Sequence, residues 1–264
     1  MDPGHNLKIS IVTVSFNQGK FIEDNIKSVI DQNYPNIEHI IIDAGSTDNT
    51  LEILKKYEEQ VNWISEPDRG QSDGLNKGFK KATGEIIGWI NSDDRLAPGA
   101  LNKVARFFND NRDEIAVVGN QAIIDEDGKT LRIIKSRAYD YDYLLNHAKG
   151  ITQNSTFFKR EVFERIGYLD ESLQFAMDRD LFIRIARLKA MPYINETLAE
   201  FRLQTDSKTA KGSYYFVKEL IKIRRKYGGS LLGPGSRSNY YIIITEPLRR
   251  IKWIRGFIQK LRKI

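Results

Sequence analysis

The sequence predicts an α/β protein: a mixed, mainly parallel sheet flanked by helices, with a helical extension at the C-terminus. Three observations carry that class. Between Lys8 and Thr83, apolar runs of strand length alternate with segments whose apolar residues recur at helical spacing. The stretch Glu85-Ile-Ile-Gly-Trp-Ile-Asn-Ser-Asp-Asp94 is too uniformly apolar for a half-exposed strand, so it reads as a buried central one. Beyond Gly212 the chain turns basic and amphipathic, which divides it into residues 1–211 and 212–264.

Each element has its own signal. Lys8 to Phe16 carries Ile9, Ile11, Val12, Val14 and Phe16 and reads as the first strand, broken by Asn17-Gln18-Gly19. Ile22, Ile26, Val29 and Ile30 mark a helix face. Ile37 to Ile42 is a strand ending at Asp43. Ala44-Gly-Ser-Thr-Asp48 is a turn, and Ile53, Leu54 and Tyr57 mark the next helix. Val61 to Ile64 is a short strand, Glu66 to Gly70 a loop, and Gln71 to about Thr83 a helix leading to the central strand. Such alternation implies right-handed crossovers.

After the central strand, Ala100 to Phe108 is helical. Ala116 to Asn120 is a strand, and Asp125-Glu-Asp-Gly128 has turn chemistry for a hairpin returning through Thr130 to Ile134. Ala138 to Gly150 is weakly patterned and polar, and reads as a mobile connection. Ser155 to Lys159 is a strand, Glu161 to Ile166 a short helix, and Asp178 to Lys189 a longer one. Tyr214 to Tyr227 and Glu246 to Ile264 are basic amphipathic helices on either side of a glycine-rich break.

Composition narrows the function classes. With no cysteine, a disulfide framework and a thiolate zinc site are both excluded. His5, His39 and His147 are too widely spaced for a metal-ligand pattern. Met1 to His5 lacks the form of a signal peptide, and no apolar run approaches membrane-spanning length. A net charge of +6 favours anionic partners. There is no Gly-x-Gly-x-x-Gly after the first strand and no phosphate loop ending in Gly-Lys-Ser/Thr, so a nucleotide must be held by side chains and a metal.

Candidate groups for that task stand at three strand ends: Thr13 to Asn17, Asp43, and Asp93-Asp94. Two adjacent carboxylates repel unless a cation or a helix N-terminus faces them. A Mg²⁺ or Mn²⁺ ion carrying a diphosphate suits the pair; capping the helix near Pro98 is the other reading. An acid at the end of the second strand can accept from a base N–H, and it equally suits an Asx turn into Ser46.

Ser10-Ile-Val-Thr-Val-Ser-Phe-Asn17, Ile40-Ile-Ile-Asp-Ala-Gly-Ser-Thr-Asp48 and Trp89-Ile-Asn-Ser-Asp-Asp94, in this order and spacing, resemble the family 2 glycosyltransferases of the GT-A fold over about residues 8 to 210. The resemblance implies inverting transfer of a sugar from a nucleoside diphosphate sugar with Mg²⁺ or Mn²⁺. It implies that Thr13, Val14, Asn17 and Asp43 hold the base, commonly uracil. Asp93 then ligates the metal, and Asp94 assists or contacts the sugar. The family's Asp-x-Asp reads Asn91-Ser92-Asp93 here, so its first carboxylate is an amide. Leu75 stands where an arginine is common, which points to Arg69 as the phosphate-facing charge, with Asp73 a candidate donor-sugar contact. A solvated loop residue and a helix-dipole partner are the plain readings of those two.

Inverting displacement needs a base on the side away from the leaving diphosphate. Met177-Asp-Arg-Asp-Leu-Phe-Ile-Arg184 resembles the family's Glu-Asp motif, with Met177 in place of the glutamate. It implies Asp178 as base and Asp180 as its structural partner. Gln153 and Asn154 are acceptor candidates, and Arg202 and Lys208 diphosphate candidates. Gln204 stands where a metal-touching histidine is frequent.

The acceptor implied is a glycan or a lipid-linked saccharide of bacterial surface polysaccharide. The 246–264 helix suits peripheral contact with an anionic membrane, on the cytoplasmic face where lipid-linked acceptors meet soluble nucleotide sugars. Packing on the catalytic domain or on a second subunit, as a homodimer, is the alternative. Two rival functions stay open from the sequence: a polyprenyl-phosphate glycosyl synthase, and a non-catalytic polyanion binder. No nucleic-acid-binding signature supports the latter.

Overall fold

The computed structural model describes residues 6–147, 151–204 and 213–230. The first half alternates strand and helix: β1 (Ile9–Ser15), α1 (Ile22–Ile30), β2 (Ile37–Asp43), α2 (Thr50–Lys56), β3 (Asn62–Ser65), α3 (Gln71–Lys81) and β4 (Ile86–Asn91). These four strands are parallel, with β1 between β2 and β4 and β3 outermost. β5 (Arg95–Leu96), α4 (Ala100–Asp110), the hairpin β6 (Ala116–Ile124) and β7 (Thr130–Ile134), and α5 (Tyr141–Asn146) follow. Then come β8 (Thr156–Lys159), α6 (Val162–Ile166), α7 (Met177–Leu188), β9 (Tyr193–Arg202) and α8 (Ser213–Tyr227).

All nine described strands join one sheet, ordered β3-β2-β1-β4-β8-β6-β9-β5, with β7 paired to β6. The strand period sorts its apolar residues onto two faces. Val12, Ile40, Ile42, Ile87 and Trp89 pack beneath α3, α5, α6, α7 and α8. Ile9, Ile11, Ile86 and Ile90 pack on the other face, mainly under α4. α1 and α2 close over Ile41. Close seating of α3 on β1 depends on Gly78, where a Cβ would stand 2.4 Å from Val12 Cγ1.

Three elements differ from the sequence reading. Residues 138–147 are not a structureless connection: Asp140 caps α5 by accepting from the Tyr143 N–H at 2.7 Å, and Leu144 and Leu145 are buried. β9, ten residues long, was not anticipated, because Glu196 and Glu200 interrupt its apolar pattern. Those charges are paired at the sheet surface, with Lys103 at 2.8 Å and Arg95 at 2.7 Å. α8, which the sequence reading assigns to a separate C-terminal extension, buries Val217, Leu220 and Ile223, the last two within the main core. Burial of aliphatic side chains of this size contributes about 1.5–3 kcal/mol each before ordering costs. The proposed 246–264 helix and Lys208 lie outside the described residues. Among those described, no helix is long and apolar enough to cross a membrane.

Candidate active site

The register of the parallel strands aligns the ends that matter. Val14 stands beside Asn91, Ser15 beside Asp43, and Asp43 beside Ser65. The C-terminal ends of β1, β2, β3 and β4 therefore form one continuous edge.

At β2, Asp43 is fully buried and organises the turn after it. Its carboxylate accepts from the N–H groups of Gly45 at 3.1 Å and Ser46 at 2.9 Å, and from the hydroxyls of Ser46 and Ser65 at 2.5 and 2.6 Å. Three of these bonds fall on Oδ2 and one on Oδ1, so the Asx-turn reading describes this structure, and Asp43 is enclosed within the turn rather than open to a base. Asn17, with φ +51°, accepts from the Thr47 N–H at 2.9 Å and donates its own N–H to Ser46 Oγ at 2.7 Å. The β1 and β2 ends are thus tied into one rim, on which Phe16 is 57% exposed. Thr13 takes no part through its side chain: its hydroxyl is buried against His39 Nε2 at 3.0 Å. Val14 packs beside Gly74 of α3.

Gly70 precedes α3 as its N-cap residue, with a φ of +119° that a side chain would strain. Arg69, exposed, pairs with Asp73 at 3.0 Å and Glu171 at 2.7 Å. Asp73 also accepts from the Arg69 N–H at 3.0 Å, and these bonds hold its carboxyl below the usual range. Both residues are therefore committed to the start of α3. Gln71 donates to Asn91 Oδ1 at 2.9 Å. The amide in place of the family's first carboxylate is thereby fixed by α3.

Beyond Asn91, Ser92 is buried and the two carboxylates diverge. Asp94 is 1% exposed. It accepts from the Arg202 N–H at 3.0 Å and from Asn154 Nδ2 at 3.1 Å, so it ties β4 to β9 and offers no face to a sugar. Burial, and next the charge of Asp93, push its pKa well up. Asp93 keeps an accessible side and accepts from Gln204 Nε2 at 2.5 Å. Burial raises its pKa, which the Gln204 bond and Arg202 partly offset. Arg202 is not a free diphosphate contact. It is 1% exposed, donating to the main-chain oxygens of Asp93 at 2.9 Å and Glu126 at 2.6 Å, and to Asp24 at 3.0 Å. Asn154 is equally buried.

No group of three or more metal-ligating acids or histidines exists among the described residues. A divalent ion held here would need oxygen ligands beyond the protein's carboxylates, and a diphosphate supplies the hard oxygens that Mg²⁺ or Mn²⁺ favours. Asp93 fits this: it is the accessible member of a carboxylate pair that burial leaves short of positive charge.

Asp178 lies in the first turn of α7, partly exposed, with its pKa raised by burial against the pull of the Arg179 N–H at 2.7 Å. Asp180 is fully buried, bonded to Arg184 at 2.8 Å and Tyr227 at 2.8 Å, and structural. The segment before α7 seats on α3: Ser72 donates to the Leu173 carbonyl at 2.8 Å and Asn76 to that of Leu169 at 3.0 Å. This carries Asp178 to the α3 side of the strand edge.

Sequence reading did not single out Gln71, Glu219 or the exposed ring of Phe16. Glu219 accepts from three successive N–H groups, Gln174, Phe175 and Ala176, each at 2.8 Å. Nothing local in the sequence marks that long-range cap.

A mainly parallel sheet with acidic residues after β4 and at the start of α7 has the architecture of the GT-A glycosyltransferases. The model of glycosyl transferase family 2 matches residues 10–167, more than half of the chain, and the chain belongs to that family. TuaG, a Bacillus subtilis protein assigned to teichuronic acid biosynthesis as a glycosyltransferase, is 28% identical over 81% of this chain and 89% of its own. An uncharacterised glycosyltransferase of Rickettsia felis is 27% identical over 77% of this chain but only 35% of its own length. A counterpart from Rickettsia typhi is matched over 64% of its length. In structure, S. aureus TarS 1-349 in complex with UDP-GlcNAc is similar, with a TM-score of 0.64 at 19% identity over 92% of this chain and 72% of that one. The mannosyltransferase PcManGT from Pyrobaculum calidifontis, in complex with GDP-Man and Mn²⁺, gives 0.62 at 19% identity over 94% and 71%.

Proposed function

We propose that this chain transfers a sugar, with inversion, from a uridine diphosphate sugar to a hydroxyl of a glycan or lipid-linked saccharide in surface polysaccharide synthesis. The observation that carries the reading is the division of labour among four acids. Asp94 and Asp180 are buried and hydrogen-bonded within the fold, while Asp93, after β4, and Asp178, in the first turn of α7, stay partly exposed.

In this reading the base lies over the rim formed by Phe16, Asn17 and the Asp43 turn, with the Phe16 ring as a stacking surface. Asp93 would hold a Mg²⁺ or Mn²⁺ ion, which when bound would supply positive charge to the leaving diphosphate. Asp178 accepts the acceptor's hydroxyl proton as that oxygen bonds to the anomeric carbon. The bond from that carbon to the diphosphate breaks, and the electron pair leaves with the diphosphate. A carboxyl with a raised pKa is a stronger base once ionised, which suits Asp178 to the task. TuaG supports the polysaccharide setting, the UDP-GlcNAc complex of TarS the nucleotide, and the Mn²⁺ complex of PcManGT the ion.

A thermal-shift screen of UDP- and GDP-sugars, with and without Mn²⁺, tests this. A UDP-sugar should raise the unfolding temperature by mass action only with the ion present. Asp93→Ala should lose that increment while the ligand-free melting temperature stays near the wild-type value. A UDP-sugar shift that survives both EDTA and Asp93→Ala would contradict the role given to Asp93.

A further inference from the structure

β7 is anomalous for a sheet strand. Lys129 to Lys135 are all exposed, including Leu131 at 53%, Ile133 at 55% and Ile134 at 36%. Elsewhere among the described residues, exposed large apolar side chains stand apart from one another in the sequence; here three fall within four residues. Among the described residues β7 pairs only with β6, so its outer edge of N–H and C=O groups is open. Lys129, Arg132 and Lys135 make no ion pair among the described residues, and no acidic residue occurs from Lys129 to Tyr139.

We propose that β7 is a docking surface for an anionic phospholipid bilayer. Leu131 and Ile133 enter the headgroup boundary, and Lys129, Arg132 and Lys135 lie against lipid phosphates. Aliphatic side chains interleaved with unpaired cations suit that interface, where apolar burial and attraction to anionic lipid add together. A second copy of the chain fits poorly. Two-fold antiparallel pairing centred on Arg132 would set Arg132 against Arg132 and Lys129 against Lys135, and like charges directly opposite destabilise a pair.

The hairpin's position gives the contact a purpose. Its turn is fastened to the strand edge of the site: Arg95 donates to the Gly128 carbonyl at 3.0 Å, and Arg202 bridges the Glu126 and Asp93 carbonyls. A bilayer on β7 would sit on the hairpin whose turn is tied through Arg202 to Asp93. This rests on the reading that the acceptor is a lipid-linked saccharide.

Co-sedimentation of the full chain with equimolar phosphatidylglycerol–phosphatidylcholine vesicles tests the proposal. The wild type should pellet with these vesicles, not with pure phosphatidylcholine, and should be released by salt. Leu131→Thr with Ile133→Thr, which removes apolar insertion, and separately Arg132→Glu with Lys135→Glu, which reverses two charges, should each lower partitioning about ten-fold or more. Both should melt like the wild type and keep its UDP-sugar thermal shift, so failure of donor binding is read separately from failure of membrane binding. The proposal is overturned if the wild type ignores anionic vesicles, binds them regardless of salt, or if either double variant pellets like the wild type. A wild-type dimer that Leu131→Thr with Ile133→Thr converts to monomer would also overturn it, in favour of self-association.

Discussion

At the scale of single residues, the site separates acids that build the fold from acids left free to act. Asp43, Asp94 and Asp180 look equivalent to Asp93 and Asp178 in sequence, all at element ends. Their hydrogen bonds distinguish them, and those partners come from distant segments: Ser65 for Asp43, Asn154 and Arg202 for Asp94, Tyr227 for Asp180. His39 shows the same dependence on burial. Enclosed in the sheet, it has its pKa depressed to about 3. The unfolded chain therefore binds a proton near pH 6.5 that the folded chain refuses until about pH 3. Stability should fall on acidification through that window, with His39 contributing a slope of about 1.4 kcal/mol per pH unit. Urea unfolding at several pH values should show His39→Gln with a shallower acid slope than the wild type; an identical slope would refute the assignment.

At the scale of elements, legibility follows how locally each element is specified. β1, β2 and β4 are buried on both faces, so their apolar runs are readable, and the motifs at their ends fall where the sequence places them. β9 and α5 are not, because their charges and polar positions are matched by partners far along the chain. α8 was legible as a basic amphipathic helix but not by its destination. Its apolar stripe could equally have faced lipid, and only the fold shows Glu219 reaching the segment before α7. That contact makes α8 a support for Asp178. Glu219→Ala leaves three N–H groups without their acceptor, and unpaired groups of this kind cost about 1–3 kcal/mol each when buried. Amide exchange at Gln174, Phe175 and Ala176 should quicken and turnover should drop, with donor affinity little changed. Unaltered exchange there would mean the cap carries no weight.

At the scale of the whole molecule, parallel strands gather β1, β2, β3 and β4 ends on one edge, and α3 and α7 close over it from the side that carries Asp178. The family, fold and order of motifs were readable from the sequence, because they depend on local pattern and spacing. The accessible face of each acid was not, since it depends on which distant groups saturate its neighbours. The central claim is that Asp178 takes the acceptor's proton. Asp178 acts ionised, and burial raises its pKa. Transfer should therefore fall on acidification through a pKa above the ordinary carboxylate range. Steady-state transfer by Asp178→Asn is the most direct test. The account predicts turnover lower by ~10²–10⁴-fold, loss of that acid limb, and unchanged UDP-sugar affinity; near-wild-type turnover with the limb intact would contradict it.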